Sequence, residues 1–291
     1  GSSAGAIDLG AIIGDAVDSC AKYITHSNRG VKLAALESLA ALVLHHSAAL
    51  SRDMVTPVFD ERKGAPALIR EDDLASAEGA LKLCVAVLSQ KVEWAEMLAT
   101  SMEAALGLAS SDVLQGNALA ATIEFFGALG TDAALSGLGT SAAKLTSRLR
   151  AGVGDSSSRS AMNVASIVAA LVAETSECEP IVSSLITDIA GGASSALALQ
   201  CVGEIGRKVD LSRHGSSLYD TVLAAFADAD LGATAAVALG GVCVGNMASG
   251  LELLRTQLEA GARPIALLLT AMREALLSRE AAGYVATVLP I

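Results

Sequence analysis

An all-α solenoid of stacked helix pairs is the fold this sequence predicts, and three observations carry it. Short Ala-, Leu- and Val-rich segments recur about every forty residues, with first members opening at Val31, Glu78, Gly116, Ser195, Ala233 and Ile265. A unit of that length cannot bury its apolar face alone, so it stacks on its neighbours and leaves function to extended faces rather than to one pocket. Apolar residues make up 52% of the chain but aromatics only 3%. The core is therefore thin and aliphatic, with few ring anchors such as Trp94, Phe125, Phe126 and Tyr219. No run alternates apolar and polar residues long enough to demand a strand.

Residues 11–25 read as the second helix of a pair whose first helix is missing. The next pair opens near Gly30, where Leu36, Leu39, Ala40 and Val43 fall at i, i+3, i+4 and i+7 on one stripe, widened by Leu33, Leu42 and Leu44. Its partner helix starts at Ser51, a capping residue, and runs through Val55 and Phe59. Pro66 breaks or kinks the segment that follows. A third unit starts near Asp73, with Leu81, Cys84, Val85 and Leu88 on one face and Trp94, Leu98, Met102 and Leu106 on its partner. Asp112 is expected to cap a helix reaching Leu129, with Leu119, Ile123, Phe126 and Leu129 inward.

The Gly-rich stretch 130–140 is expected to be a linker into a helix over Ala142–Leu149, and residues 151–160 a loop. Beyond it, Val164, Ile167, Val168 and Leu171 align on one face, and Pro180 sits at the start of the partner helix, where its missing N–H costs nothing. Unit starts at 30, 73, 113, 157, 193, 231 and 262 are separated by 43, 40, 44, 36, 38 and 31 residues. That scatter fits HEAT-type pairs and excludes the stricter tetratricopeptide and ankyrin lengths. The reading is one array over residues 1–291, of about seven pairs. Terminal repeats should present a polar outer face. Here the last segment, AAGYVATVLPI, is nearly all apolar and the first helix is unpaired, which points to a fragment of a longer array or half of a split protein.

The net charge is −11 and no Lys/Arg run exists, so there is no footprint for a phosphate backbone and nucleic-acid binding is not expected. Acidity suits a solvated exterior, and it would also attract a basic protein surface. Cys20, Cys84, Cys178, Cys201 and Cys243 form no C-x-x-C pair, and their odd number argues against a disulfide framework and for a reducing compartment. Cys201 and Cys243 sit inside apolar helices, where burial raises a thiol pKa and makes it inert. The start, GSSAGAIDLG, has no basic region followed by an apolar run, so it is not a signal peptide. Leu231 to Leu251 carries no charge, but its glycines and Asn246 read as a buried helix followed by a turn rather than a membrane span.

No catalytic, cofactor-binding or metal-ligating residues are assigned. GLGTSA at 137–142 matches a dinucleotide fingerprint only in letters, since no strand precedes it, and Lys144 follows Ala143 rather than the glycine of a phosphate loop. His45 and His46 are adjacent and diverge on a helix, while His26 and His214 lack partners at ligand spacing. No serine lies in a G-x-S-x-G elbow. The polar residues of most interest fall on second helices and turns: Arg52, Asp53, Glu61, Arg62, Lys63, Arg70, Arg148, Arg150, Arg159 and Arg213. On a solenoid, charges so placed are either solvated or part of an interface.

Several segments resemble the cullin-associated and neddylation-dissociated proteins. They are G-E-I-G at 203–206, Val-Asp-Leu-Ser at 209–212 and A-L-G-G-V-C-V-G-N at 238–246, together with SSDVLQGNALAATIEFFGAL at 110–129 and NRGVKLAALESLAAL at 28–42. The order is collinear over almost the whole chain, and the match is to that family's middle region. The resemblance implies a long HEAT superhelix wrapping a cullin and its RING-box partner. It further implies a non-enzymatic role, binding cullins that lack the ubiquitin-like modifier and promoting substrate-receptor exchange on cullin–RING ubiquitin ligases, in cytoplasm and nucleus. The chain departs from the family in its many Gly and Ala residues and in a shorter 130–160 region. No contact residue is carried over, because G-E-I-G and V-G-N read as helix packing and helix termination. Two other readings remain open: an importin-like transport adaptor or phosphatase-type scaffold, which a lone Trp argues against, and an all-helical enzyme, which would need a concave pocket with convergent polar groups.

Overall fold

The computed structural model describes residues 9–153, 158–192 and 195–278. These fall into two compact units, one up to residue 156 and one from residue 157. Among the described residues every regular element is helical. The first unit holds α1 (Leu9–Tyr23), α2 (Arg29–His46), α3 (Arg52–Val55), α4 (Leu74–Gln90), α5 (Ala99–Ala109), α6 (Gly116–Leu129), α7 (Asp132–Gly137) and α8 (Ala142–Val153). The second holds α9 (Ser158–Ala173), α10 (Cys178–Gly191), α11 (Ser195–Gly206), α12 (Gly215–Ala224), α13 (Gly232–Gly245), α14 (Met247–Ala260) and α15 (Ile265–Leu276). Each unit is a solenoid of successive neighbours. The first helices α2, α4 and α6 lie side by side in chain order in one unit, and α9, α11, α13 and α15 do so in the other.

Local chemistry sets many helix boundaries. The side chains of Asn28, Ser51, Asp73, Thr131 and Asn246 each accept a backbone N–H of the first turn they precede, which satisfies donors the helix itself cannot. Gly192 and Gly261 end α10 and α14 in the left-handed conformation, with φ of 79° and 62°, where a side chain would be strained. The uncharged stretch after Leu231 is α13, enclosed by its neighbours, and Asn246 turns the chain into α14. At 14 residues α13 spans about 21 Å, well short of a bilayer core.

Four sequence expectations need correction. The stretch 130–140 is not a bare linker, because Thr131 caps the short helix α7, whose Ala134 and Leu135 are buried. Asp112 does not cap α6; the helix starts four residues later, after Gln115 in extended backbone. Consequently its buried face is Ala118, Ala121, Thr122, Phe125, Phe126 and Leu129, and Leu119 and Ile123 sit at its margin. The expected 151–160 loop shrinks, since α8 continues to Val153 and α9 begins at Ser158; residues 154–157 lie outside the described residues, as does the apolar segment 281–291.

First helices are unbroken, whereas second helices of the first unit are split. After α3 the chain forms 3₁₀ turns over Thr56–Phe59 and Ala65–Leu68, each with a proline at its start. A further 3₁₀ stretch, Val92–Leu98, precedes α5 and buries Trp94. The two units also differ in how first helices approach. Between α2 and α4, a Cβ added to Gly79 would meet side-chain atoms of Leu36 and no backbone, at 3.0 Å from Cδ1 and 3.3 Å from Cβ. Between α11 and α13 the contact is backbone on backbone. A Cβ on Gly203 would lie 2.7 Å from the Cα of Ala238, one on Gly206 would lie 2.6 Å from the Cα of Val242, and one on Gly241 would press on the Gly203 carbonyl. On the other side of α13, a Cβ on Gly240 would lie 2.6 Å from the Ala271 carbonyl oxygen of α15.

Candidate interaction surface

Polar side chains join equivalent positions of successive repeats, and their sequence separations reproduce the repeat length. In the first unit Lys32 reaches Asp73 (41 residues on), Ser47 reaches Gln90 (43), Arg52 reaches Glu96 (44) and Arg148 reaches Glu103 (45). Ser111 donates to Glu71 across 40 residues. In the second unit the steps are shorter: Arg213 to Glu179 spans 34 residues and Asn246 to Asp210 spans 36. The long and short repeats read from sequence are thus the physical periods of two polar ladders.

These ladders explain several of the charges singled out on second helices. Arg148 grips Glu103 with both terminal nitrogens, at 2.8 and 2.5 Å, and that hydrogen bonding holds the Glu103 carboxyl below its ordinary range. Arg213 lowers Glu179 in the same way. Arg52 pairs with Glu96, and Arg70 pairs locally with Asp72. Asp73 shows the balance of effects. Burial pushes its carboxyl up, but hydrogen bonds from Ser76 and Lys32 outweigh it and the net shift is down. Asp53, Glu61, Arg62, Lys63 and Arg159 are exposed.

Across α13 the second unit carries a further bridge. Arg207, in the turn just after α11, binds Glu204 of that helix and Glu274 of α15, 67 residues away. Gly240, packed against Glu274, presents no side chain there.

No described residues combine into a metal site. His45 and His46 are exposed, and His26 accepts the N–H of Asn28 through Nδ1. Cys84, Cys201 and Cys243 are fully buried, and burial pushes the thiols of Cys84 and Cys243 up to about 12. The GLGTSA segment follows the helix α7, not a strand, and Gly139 turns the chain toward α8 with φ of 62°. No described helix is long and apolar enough to cross a membrane.

Two apolar troughs lie on first-helix faces. In the second unit, Ala165, Ser166, Gln200, Gly203, Thr234 and Ala238 line a space of about 340 Å³ flanked by Met162, 62% exposed, and Val237, 40% exposed. Its one carboxylate, Glu204, is already engaged by Arg207. In the first unit a trough of about 430 Å³ runs between α2 and α4. Leu36, Ala40, Gly79 and Ala86 form its floor, Leu44 and Val85 its walls, and Glu37, Lys82 and Glu124 its rim. Leu44, expected to pack on a neighbour, is instead 44% exposed. Sequence patterning alone missed both troughs, because each is bounded by residues of three different repeats.

Stacked helix pairs, side chains tied from repeat to repeat and shallow apolar troughs define a helical-repeat protein that presents surfaces. The chain is homologous to the cullin-associated NEDD8-dissociated proteins. It is 29% identical over 295 residues to Cullin-associated NEDD8-dissociated protein 1 of Drosophila melanogaster, covering 94% of this chain and 23% of that protein. It is 31% identical over 283 residues to protein 2 of that name from Rattus norvegicus, covering 93% of this chain and 22% of the relative. Against protein 1 of Arabidopsis thaliana the identity is 26% over 290 residues. The chain thus spans 22–23% of the length of these relatives. No family model matches it.

Proposed function

We propose that this chain is part of a non-enzymatic scaffold that binds cullin–RING complexes lacking the ubiquitin-like modifier. In that role it would contribute to substrate-receptor exchange on cullin–RING ubiquitin ligases, in cytoplasm and nucleus. The observation that carries the reading is the alignment with cullin-associated NEDD8-dissociated proteins over 94% of the chain. The fold supports it physically. A stack of helix pairs offers long faces whose contacts are individually weak and collectively specific, with a few anchors dominating.

The test is retention of a purified, unmodified cullin–RING-box complex on the immobilised chain, with the full-length Drosophila relative as positive control. Co-retention of the cullin by both is the expected result. If the relative retains the complex and this chain does not, cullin binding by this segment is refuted.

A further inference from the structure

We propose that the trough between α2 and α4 is a docking seat for a basic amphipathic helix of a protein partner. Its shape selects a helix. The lining positions on α2 are 37, 40, 41, 44 and 45, and those on α4 are 79, 82, 85, 86 and 89. Both sets follow the three-and-four spacing of a helix face, so together they make the surface on which a third helix packs. The floor is small where the two helices meet, at Ala40, Gly79 and Ala86 over the buried Leu36, which leaves room for an incoming apolar side chain. Leu44 gives the seat an apolar wall that no described residue covers.

Its charge selects a basic occupant. Glu37 from α2 and Glu124 from α6 stand at the rim, both exposed and without a hydrogen-bonded partner among the described residues. The cation at the rim, Lys82, is held by Glu78 at 2.6 Å. Two rim carboxylates therefore share an ammonium that a third carboxylate, Glu78, already holds, and the rim is left net negative. An acidic helix would be repelled, and a neutral one would gain nothing from the rim carboxylates, which Lys82 only partly offsets. The trough of the second unit lacks this polarity, since its carboxylate is paired with Arg207. The proposal is independent of cullin binding.

The experiment uses the full chain and a fluorescent, lactam-locked helical peptide with Leu and Ala on one face and Lys along both flanks. A charge-reversed peptide with Glu for Lys, and a scrambled peptide of the same composition, serve as controls. Anisotropy titrations at low and physiological salt read the affinity. The Lys peptide should bind and the two controls should not. Glu37→Gln with Glu124→Gln should weaken binding about tenfold, and Leu44→Ser about fivefold. Asp53→Asn with Glu61→Gln, which removes the same charge from exposed positions off the trough, should change it less than about twofold. All three variants lie at exposed positions, and unchanged thermal unfolding establishes that they fold. The idea is overturned if the Lys peptide does not bind. It is equally overturned if the two charge-removing variants weaken binding alike, or if the Glu peptide or the scrambled peptide binds as well. Dimerisation of the chain that Leu44→Ser abolishes would assign the trough to a second copy and also overturn it.

Discussion

Gly203→Ala is the most direct probe of the backbone seam in the second unit. The new Cβ would lie 2.7 Å from the Cα of Ala238 and 3.2 Å from its Cβ. Ordinary contacts begin near 3.4 Å, so α11 and α13 must separate by about 0.7 Å over the seam. Overpacking a tight core costs about 1–3 kcal/mol. The obstructing atom here is backbone, which cannot rotate away, so the upper half of that range applies, about 2–3 kcal/mol. Alanine recovers about 1 kcal/mol of helix propensity over glycine. The net expectation is a loss of about 1–2 kcal/mol, seen as a fall of about 3–8 °C in the transition of the second unit. Gly107 of α5 supplies the opposite sign. Nothing lies within 4 Å of the point where its Cβ would stand, so Gly107→Ala should gain about 0.5–1 kcal/mol. Urea and thermal unfolding, with hydrogen exchange to locate the change in α11 and α13, measure both. A Gly203→Ala protein as stable as the parent, or stabilised like Gly107→Ala, would refute the seam.

Three further outcomes are expected. Thr146 is buried in α8 with a hydroxyl that has no hydrogen-bond partner, so Thr146→Val should leave stability unchanged or raise it by up to about 1 kcal/mol. A clear loss in the urea midpoint would show that the hydroxyl is satisfied. Under native conditions at pH 8, iodoacetamide should modify Cys20 and Cys178, which are partly exposed, while sparing buried Cys84, Cys201 and Cys243. Mass spectrometry finding equal labelling of all five would contradict the burial. Glu103, Glu274 and Asp73 have carboxyls lowered in the folded chain, the first by Arg148, the second by Arg273 with Arg207, and the third, against the upward push of burial, by Ser76 and Lys32. Depressed folded values stabilise above the ordinary pKa, so stability should hold down to about pH 4.5 and fall as pH drops through the folded values. Urea midpoints measured from pH 6 to 3 at fixed ionic strength test this, and a midpoint flat to pH 3 counts against it.

The sequence by itself determined the helical class, the repeat and most first-helix starts, because these are local. Apolar spacing along α2, α4 and α9 sets their buried faces, and Ser51, Asp73 and Asn246 mark boundaries through hydrogen bonds to residues three positions on. The reading of Gly203 and Gly206 as packing residues also held, because glycine inside a helix needs a neighbour close enough to require it. It failed where capping or shape had to choose between nearby residues. Asp112 looked like a cap, yet α6 begins after Gln115, which turns its buried face toward Phe125 and Phe126. Thr131 and Leu135 made a helix where glycines suggested a linker. Only the tertiary structure decided which charges pair between repeats, that Leu44 stays exposed and which carboxylates stand at the rim of the trough. Those features depend on residues about forty positions apart meeting across two helices, and no local pattern specifies that meeting.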